Sequence, residues 1–300
     1  MDHNSTGLTV VKSNKVVEAS YMLSLAEQRV LLCCIAQIDS KAELTEDFKF
    51  EVTVAGISEL VGIHNGSSIY RDLKIAAEKL YERSVIINDP DPDNPKIAQR
   101  KTRWISGIDY IPGEAKVVLR FAIEIIPYLT QLSREFTQYK LMHVASFESV
   151  YSIRLYELLA QWLKAGERVI EVDWFKQQFQ VADKYKRVID LKKRVIEPAI
   201  KEINEHSNIW VTFEQKKTGK TITHFKFEFG LKDAPKSHKH ITEDEINKQA
   251  KPGETKAAVM ARLTGSSLAN FAKPGETFDQ ALDRKKIISD MKKGLGSSKK

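Results

Sequence analysis

Hydrophobic residues recur with two different periods in the segment from Val172 to Leu231. The first part has the spacing of one helical face from about Lys186 to Asn204, with apolar positions at Val188, Leu191, Val195, Ala199 and Ile203. The second part alternates like two β-strands, with apolar positions at Ile209, Val211, Phe213, Phe225, Phe227 and Phe229. A shorter helix, with Asp173 as its expected N-cap, precedes both. The order helix, turn, helix and hairpin predicts a winged helix, which lays its second helix in the DNA major groove and its hairpin on phosphate.

An earlier segment repeats this order. Ser24 and Glu27 have the spacing of a capping box at the start of an apolar helix. A strand at 48–52, a helix capped by Thr53, and a second helix from Ser68 to about Arg83 follow. Further strands are predicted at 85–87, 102–111 and 116–121. The fold class predicted from both segments is α+β, with two tandem winged helix domains.

The predicted domain organisation has four parts. Residues 1–10 form a disordered N-terminus, 11–132 the first winged helix domain, 133–231 the second, and 232–300 a flexible basic tail. The tail holds the hexapeptide AKPGET twice, at 250–255 and 272–277. Two copies are too few for a solenoid, and the scarcity of large apolar residues predicts mobility in the tail.

The net charge of +7 is unevenly distributed, because +6 of it lies in residues 232–300. Within the nearly neutral body, basic residues are concentrated on two helices and a wing, which predicts a localised DNA-binding surface. The DNA-binding candidates in the second domain are Tyr185, Lys186, Arg187, Lys192, Lys193, Arg194, Lys216, Lys217 and Lys220. The seven-residue spacing of Arg187 and Arg194 places both on one helical face. The alternative for each cation is a solvated basic surface.

The first domain carries a weaker set of DNA-binding candidates. Ser68, Tyr70, Arg71 and Lys74 lie near the start of the helix expected to enter a groove. We interpret the acidic, proline-rich segment 89–95 as the wing of this domain, and its charge makes it a poor phosphate clamp. It is a solvated loop, a segment that excludes the wrong register on DNA, or a surface for a protein partner. The basic residues that follow it are better phosphate candidates: Arg100, Lys101 and Arg103.

The sequence contains no complete motif for a nucleotide-binding phosphate loop or for a metal site. Gly219, Lys220 and Thr221 resemble the end of a phosphate loop, but Glu214 stands where its first glycine is required. His238 and His240 form a close pair without further ligands around them, so no metal site and no cofactor are expected.

The adjacent Cys33 and Cys34 point apart on a helix, and with the absence of a signal peptide they indicate a reducing cytoplasm. No apolar run is long enough to span a membrane.

Three blocks of sequence resemble the Rep_3-type plasmid replication initiators over about Val11 to Lys232. The first block contains Val11–Asn14, Ala19–Tyr21 and Leu23–Arg29. The second contains Tyr185–Arg187, Asp190–Arg194 and Glu202–Asn204. The third is the wing, with Phe213, Lys216, Lys217, Thr221, His224 and Phe227. The combination of the three blocks is specific, whereas any one of them alone is weak.

The resemblance implies two winged helix domains related by a pseudo-two-fold axis. Such initiators bind directly repeated DNA sites, the iterons, as monomers and open the origin, and many repress their own gene as dimers on an inverted repeat. The second domain supplies the stronger DNA contact, and the first supplies the dimer surface. Implied protein partners are the host replicative helicase, the chromosomal initiator, and chaperones that shift the dimer to monomer.

The resemblance also assigns residues. It implies that Tyr185, Arg187, Lys193 and Arg194 face DNA. The chain departs from some relatives by having lysines at 192 and 193 where they have arginines, and lysine cannot form the bidentate fork of arginine on guanine. The sequence therefore predicts a cytoplasmic, non-enzymatic replication initiator. The alternatives are a transcriptional repressor without initiator activity and, more distantly, a nicking enzyme of rolling-circle replication.

Overall fold

The computed structural model describes residues 8–61, 69–91 and 94–232 of the chain. Three features predicted from the sequence lie outside the described residues: Ser68, the tail from 233 to 300, and both AKPGET copies. The helices and strands of the first part are β1 Thr9–Ser13, α1 Asn14–Val17, α2 Leu25–Ile35, β2 Phe50–Thr53, α3 Val54–Val61, α4 Ile69–Glu82, β3 Ser84–Asn88, β4 Gln99–Arg103, β5 Ile105–Ile111 and β6 Lys116–Phe121. Those of the second part are β7 Phe136–Lys140, α5 Met142–Ala145, α6 Val150–Ala160, β8 Glu167–Glu171, α7 Val172–Gln178, α8 Val188–Leu191, α9 Glu197–His206, β9 Ile209–Thr218 and β10 Thr221–Leu231.

Two segments of the chain have the same topology. In module 1, which runs from α2 to β6, the sheet order is β2-β6-β5, and α2 packs on α4. In module 2, which runs from α6 to β10, the order is β8-β10-β9, and α6 packs on α9. In each module the first strand pairs antiparallel with the last one, and a helix follows the first strand directly. The predicted α+β fold with tandem winged helix modules is confirmed.

The wing of module 1 differs from the one expected. The turn between β5 and β6 is a 3₁₀ turn at Pro112–Glu114 followed by Ala115 at φ 48°. The acidic segment instead follows β3, which pairs with β4 in a separate two-stranded sheet. The expected single strand at 102–111 is divided at the fully buried Trp104. The interpretation of residues 89–95 as the first wing is therefore wrong, because this segment connects β3 to β4, whereas the hairpin in the sheet of module 1 is formed by β5 and β6.

In module 2, the predicted start of the first short helix and the predicted lengths of the hairpin strands differ from the structure. Asp173 lies in the first turn of α7, and the N-cap is Glu171, which makes no side-chain capping hydrogen bond. Glu171 is the last residue of β8 and is paired with His224, and α7 begins at the next residue, two residues earlier than an N-cap at Asp173 would place it. The hairpin strands are longer than expected, and they are joined by a two-residue turn in which Gly219 has φ 62°.

The capping box at the start of α2 is confirmed. Ser24 Oγ accepts from the Glu27 amide at 3.3 Å, and the Glu27 carboxylate accepts from the Ser24 amide at 3.1 Å. Arg83 donates two hydrogen bonds to the same carboxylate, at 2.8 and 3.1 Å. Burial acts to raise the pKa of Glu27, but the hydrogen bonds from Arg83 and Ser24 hold it below its usual value. This pair therefore ties the start of α2 to the residue that follows α4.

A buried polar network joins the N-terminal strand to module 2. β1 pairs antiparallel with β7, and Lys12 on β1 forms a fully buried ion pair with Glu157 on α6 at 2.5 Å. Tyr139 donates to the same carboxylate, and burial and then Glu157 raise the pKa of Tyr139 well above its usual value. One turn earlier on α6, the buried Arg154 donates to three backbone carbonyls, those of Ala19, Tyr21 and Gln178, at 2.6–2.7 Å. The chain before module 1 is thus held against the first helix of module 2.

Candidate nucleic-acid interface

The recognition segment of module 2 begins before its helix. Tyr185 is partly buried and packs on the core, and its amide donates to the Val181 carbonyl at 2.8 Å. Lys186 is exposed, and its carbonyl accepts from Lys176 Nζ at 2.9 Å. Arg187 is the N-cap residue of α8, with an extended backbone at φ −82° and ψ 135°. These contacts place the cationic side chains of Lys186 and Arg187 at the N-terminal end of the recognition helix, the end that usually reaches base edges.

Arg187 is oriented by an acidic neighbour that the sequence reasoning missed. Its guanidinium donates two hydrogen bonds to Asp190, at 2.7 and 2.9 Å, while most of the side chain remains exposed. The hydrogen bond from Arg187 is the main cause that lowers the pKa of Asp190, with smaller contributions from Arg194 and Lys193. The i,i+3 spacing on a helix was the signal that could have revealed this pair.

The recognition helix is not a regular α-helix. From Lys192 to Ile196 the helix widens to a π-turn, in which the Glu197 amide donates to the Lys192 carbonyl five residues back. Pro198, in the first turn of α9, lacks the amide that an α-helix would direct at Arg194. The prediction that Arg187 and Arg194 share one face rests on regular α-helical spacing, whereas Arg187 precedes the helix and the π-turn begins before Arg194. It stays a prediction. Lys193 and Arg194 are nevertheless both exposed, while Val195 is buried.

Lys192 differs from its two basic neighbours. It is only partly exposed, and its Nζ donates to Gln215 Oε1 on β9 at 3.0 Å. The same ammonium lies 5.7 Å from the centre of the Phe213 ring. Lys192 therefore connects the recognition helix to the wing. Gln215 is 23 residues away, so no local pattern could have revealed this partner.

The wing of module 2 presents three exposed lysines near its tip. Lys216 pairs across the hairpin with His224, and Lys217 pairs with Ile222, with a bulge at Thr223 between the two pairs. Because successive strand residues alternate in direction, Lys217 lies on the same side of the strand as Gln215, the side that contacts the recognition helix. Lys220 belongs to the two-residue turn itself.

The candidate surface of module 1 is built from α4 and β5. Tyr70 is partly buried and Arg71 is exposed, with its guanidinium 3.6 Å from Asp72. Lys74 lies over the ring of Tyr110 on β5, 5.0 Å from its centre. The recognition helix of this module thus contacts its own wing by a cation–π interaction, as Lys192 does in module 2.

The other basic candidates of the first domain lie on β4. Arg100 Nη1 donates to the Tyr128 hydroxyl at 3.4 Å, whereas Lys101 is exposed. Arg103 donates to the Tyr81 carbonyl at 3.0 Å and lies over the Tyr81 ring. Arg103 is therefore at the C-terminal end of α4, and it does not join the candidates at the opposite end of that helix.

The described residues show no group of three or more metal-ligating side chains. They also contain no helix with the length and hydrophobicity that crossing a bilayer requires. Cys33 and Cys34 are free thiols on α2, and burial raises the pKa of Cys33 to about 12.

Comparison with known proteins agrees with this architecture. Residues 9–160 match the family model of the initiator replication protein WH1 domain, and residues 171–229 match that of the initiator Rep protein WH2 domain. The chain belongs to the Rep3 family of initiator replication proteins. The resemblance found in the three sequence blocks is thereby confirmed.

Two relatives from Escherichia coli align with most of the chain. It is 30% identical over 216 residues to a replication initiation protein of Escherichia coli, an alignment that covers 70% of this chain and 66% of that protein. It is 27% identical over 246 residues to the PI protein of Escherichia coli, covering 72% and 80% of the two chains. The crystal structure of the Pi initiator protein in complex with iteron DNA matches with a TM-score of 0.65 at 24% identity, covering 76% of this chain and 99% of the other. This structural likeness shows that the two initiators share the tandem fold.

Proposed function

We propose that this initiator starts plasmid replication by binding directly repeated sites, the iterons, with module 2 as its principal DNA contact. The observation that carries the proposal is the joint exposure of Lys193 and Arg194 on the recognition helix and of the three wing lysines beside it. Membership of the initiator family supports the same function. The related Pi initiator, whose structure contains iteron DNA, shares this fold.

The proposed mechanism is binding and distortion of DNA. The N-terminal half of the recognition helix enters the major groove, where Arg187 and Arg194 are placed to reach base edges. Lys216, Lys217 and Lys220 contact phosphates, which add affinity but carry no sequence information. Bending a site costs a few kcal/mol, which these contacts offset. Neighbouring AT-rich DNA then opens, and the exposed strand is available to the host helicase.

Module 1 has a secondary role in this proposal. Tyr70, Arg71 and Lys74 supply additional DNA contacts, and the module also supplies the surface of a homodimer in equilibrium with monomer. As a dimer, the initiator binds an inverted repeat and represses its own gene. The host replicative helicase, the chromosomal initiator and chaperones are its proposed protein partners.

A footprint of the full-length protein on DNA flanking its own gene tests this function. We expect protected segments that repeat at a spacing near one helical turn or a multiple of it. A single symmetric footprint over the promoter would indicate a repressor, and a covalent protein–DNA adduct would indicate a nicking enzyme. The matched control is the double variant Lys193→Ala/Arg194→Ala, which should lose the pattern. Uniform protection of all sequences by the wild type would refute specific binding.

A further inference from the structure

One large apolar side chain is exposed in the first turn of the module 2 recognition helix. Ile189 is 46% exposed, whereas its neighbour Val188 packs against the core and Leu191 is fully buried. A single exposed isoleucine is common on protein surfaces and by itself indicates nothing. The position of Ile189 is what distinguishes it, because the N-terminal turn of a recognition helix is the part that reaches base edges.

The surroundings of Ile189 are strongly basic. Lys186 lies two residues before the first helical residue, Lys193 lies two residues after Leu191, where α8 ends, and both are exposed. Arg187 donates to Asp190, and Arg194 lies close enough to the same carboxylate to help lower its pKa. An apolar protein surface would have to desolvate these cations without neutralising them, whereas a polyanion neutralises them. The charge around Ile189 therefore fits DNA as the molecule that covers it.

DNA offers one kind of apolar group on the major-groove edges of its four standard bases, the C5-methyl group of thymine. We propose that Ile189 contacts the C5-methyl group of a thymine in each recognised site and so contributes to sequence specificity. This inference rests on the proposed function, since it requires the helix of module 2 to enter the major groove. The lysines and arginines around Ile189 form hydrogen bonds with polar groups and cannot recognise a methyl group. Ile189 therefore adds recognition of thymine through its methyl group.

Replacing thymines by deoxyuridines tests the contact directly, since this change removes the methyl group and keeps every hydrogen-bonding group. The probe is a duplex that the full-length protein protects, with one thymine replaced at a time. For the wild type we expect one position in each site at which deoxyuridine weakens binding about fourfold, the equivalent of about 0.8 kcal/mol for one buried methyl-sized group. For Ile189→Ala we expect weaker binding to the thymine duplex and no further loss with deoxyuridine at that position.

Ile123→Ala is the matched control, because Ile123 is also exposed, to 56%, but lies between β6 and the 3₁₀ turn that follows it in the first domain. This variant should keep the full deoxyuridine effect. Alanine has the higher helix propensity and Ile189 lies outside the core, so Ile189→Ala should unfold at the wild-type temperature. That measurement shows that any loss of binding does not come from unfolding.

Two outcomes would overturn the inference while leaving the proposed function intact. In the first, the wild type binds specifically but no thymine is sensitive to loss of its methyl group. In the second, Ile189→Ala keeps the wild-type sensitivity at the same position. If the wild type protects no specific DNA, the proposed function itself fails, and the inference fails with it.

Discussion

Modules 1 and 2 share one topology but present different charges at the same place in the fold. At the start of the module 2 recognition helix, residues 186–194 contain five basic residues and one acidic residue, whereas residues 69–77 at the start of α4 contain two and one. The module 2 wing tip, 214–220, has three lysines and one glutamate, but the module 1 turn, 109–116, has one lysine, one aspartate and one glutamate. The two modules therefore share the same fold, but only module 2 combines it with a strongly cationic recognition helix and wing.

Near the turn of its wing, module 1 has basic side chains that form ion pairs within the protein. Lys116 forms ion pairs with Glu51 and Glu114, at 3.0 and 2.7 Å, and Arg120 pairs with Asp109 at 2.7 Å. In module 2 the corresponding wing lysines project into solvent. A cation that is already paired has less to gain from a phosphate, because binding the phosphate would break an existing pair. The two modules share a topology, so the proposal of module 2 as the principal DNA contact rests on the exposed lysines of its wing.

The buried ion pair of Lys12 with Glu157 holds the chain before module 1 against the first helix of module 2. Replacing Lys12 tests how much this contact stabilises the protein. Lys12→Met leaves the carboxylate buried without its counter-charge, so we expect the free energy of unfolding to fall by about 3–5 kcal/mol. Urea denaturation gives that value, and calorimetry shows whether a single transition remains. The double variant Lys12→Met/Glu157→Leu is the control, and it should recover most of the loss. Wild-type stability in the single variant would contradict a structural role for the pair.

One arginine from each recognition helix tests the comparison at the level of DNA binding. Arg194→Ala should weaken binding to the protected duplex by about 1–3 kcal/mol, and it should relax one base position if Arg194 reads a base edge. Arg71→Ala on α4 should have a clearly smaller effect, since its surroundings carry less positive charge. Fluorescence anisotropy titrations at one fixed salt concentration measure both. Equal losses would show that the two modules contribute equally, contrary to the charge comparison.

Much of this comparison was accessible from sequence, because local patterns determine helices and strands. The period of 3.6 and the alternation of Phe225, Phe227 and Phe229 predicted the recognition helix and the wing, and the capping box at Ser24 was found from spacing alone. The pairing of β1 with β7 was not predicted, and neither was the ion pair between Lys12 and Glu157, which lie 145 residues apart. Contacts at such separations leave no periodic signal.

The candidate site was predicted as a set of residues, but its geometry was not. The basic residues around 186–194 were found by charge, whereas the π-turn that begins at Lys192 was missed. Pro198 is visible in the sequence, but a proline specifies only the missing hydrogen bond and not how the helix accommodates it. In module 1, alternation suggested one strand at 102–111, because the burial of Trp104 that separates β4 from β5 depends on residues far away in the chain.

The two wings can be compared through salt dependence. Replacing Lys216, Lys217 and Lys220 by alanine should reduce the slope of log affinity against log salt by about 0.9 for each phosphate that the protein no longer neutralises. The matched variant in module 1 is Lys116→Ala, which should leave the slope unchanged because Lys116 is paired with Glu51 and Glu114. Titrations at several salt concentrations provide the slopes. An unchanged slope in the triple variant would show that the module 2 wing does not contact phosphate.

The smallest expected effect concerns Lys192, which distinguishes a DNA contact from a residue that positions the wing. If Lys192 acts through its hydrogen bond to Gln215, then Lys192→Met and Gln215→Leu should each weaken DNA binding by about 1 kcal/mol. The double variant should then be no weaker than either single variant, because both remove the same interaction. If Lys192 instead contacts phosphate, Lys192→Met alone should lower the salt slope by about 0.9, and Gln215→Leu should not. Additive losses with unchanged slopes would contradict both roles, so this cycle decides how the recognition helix and the wing of module 2 act together.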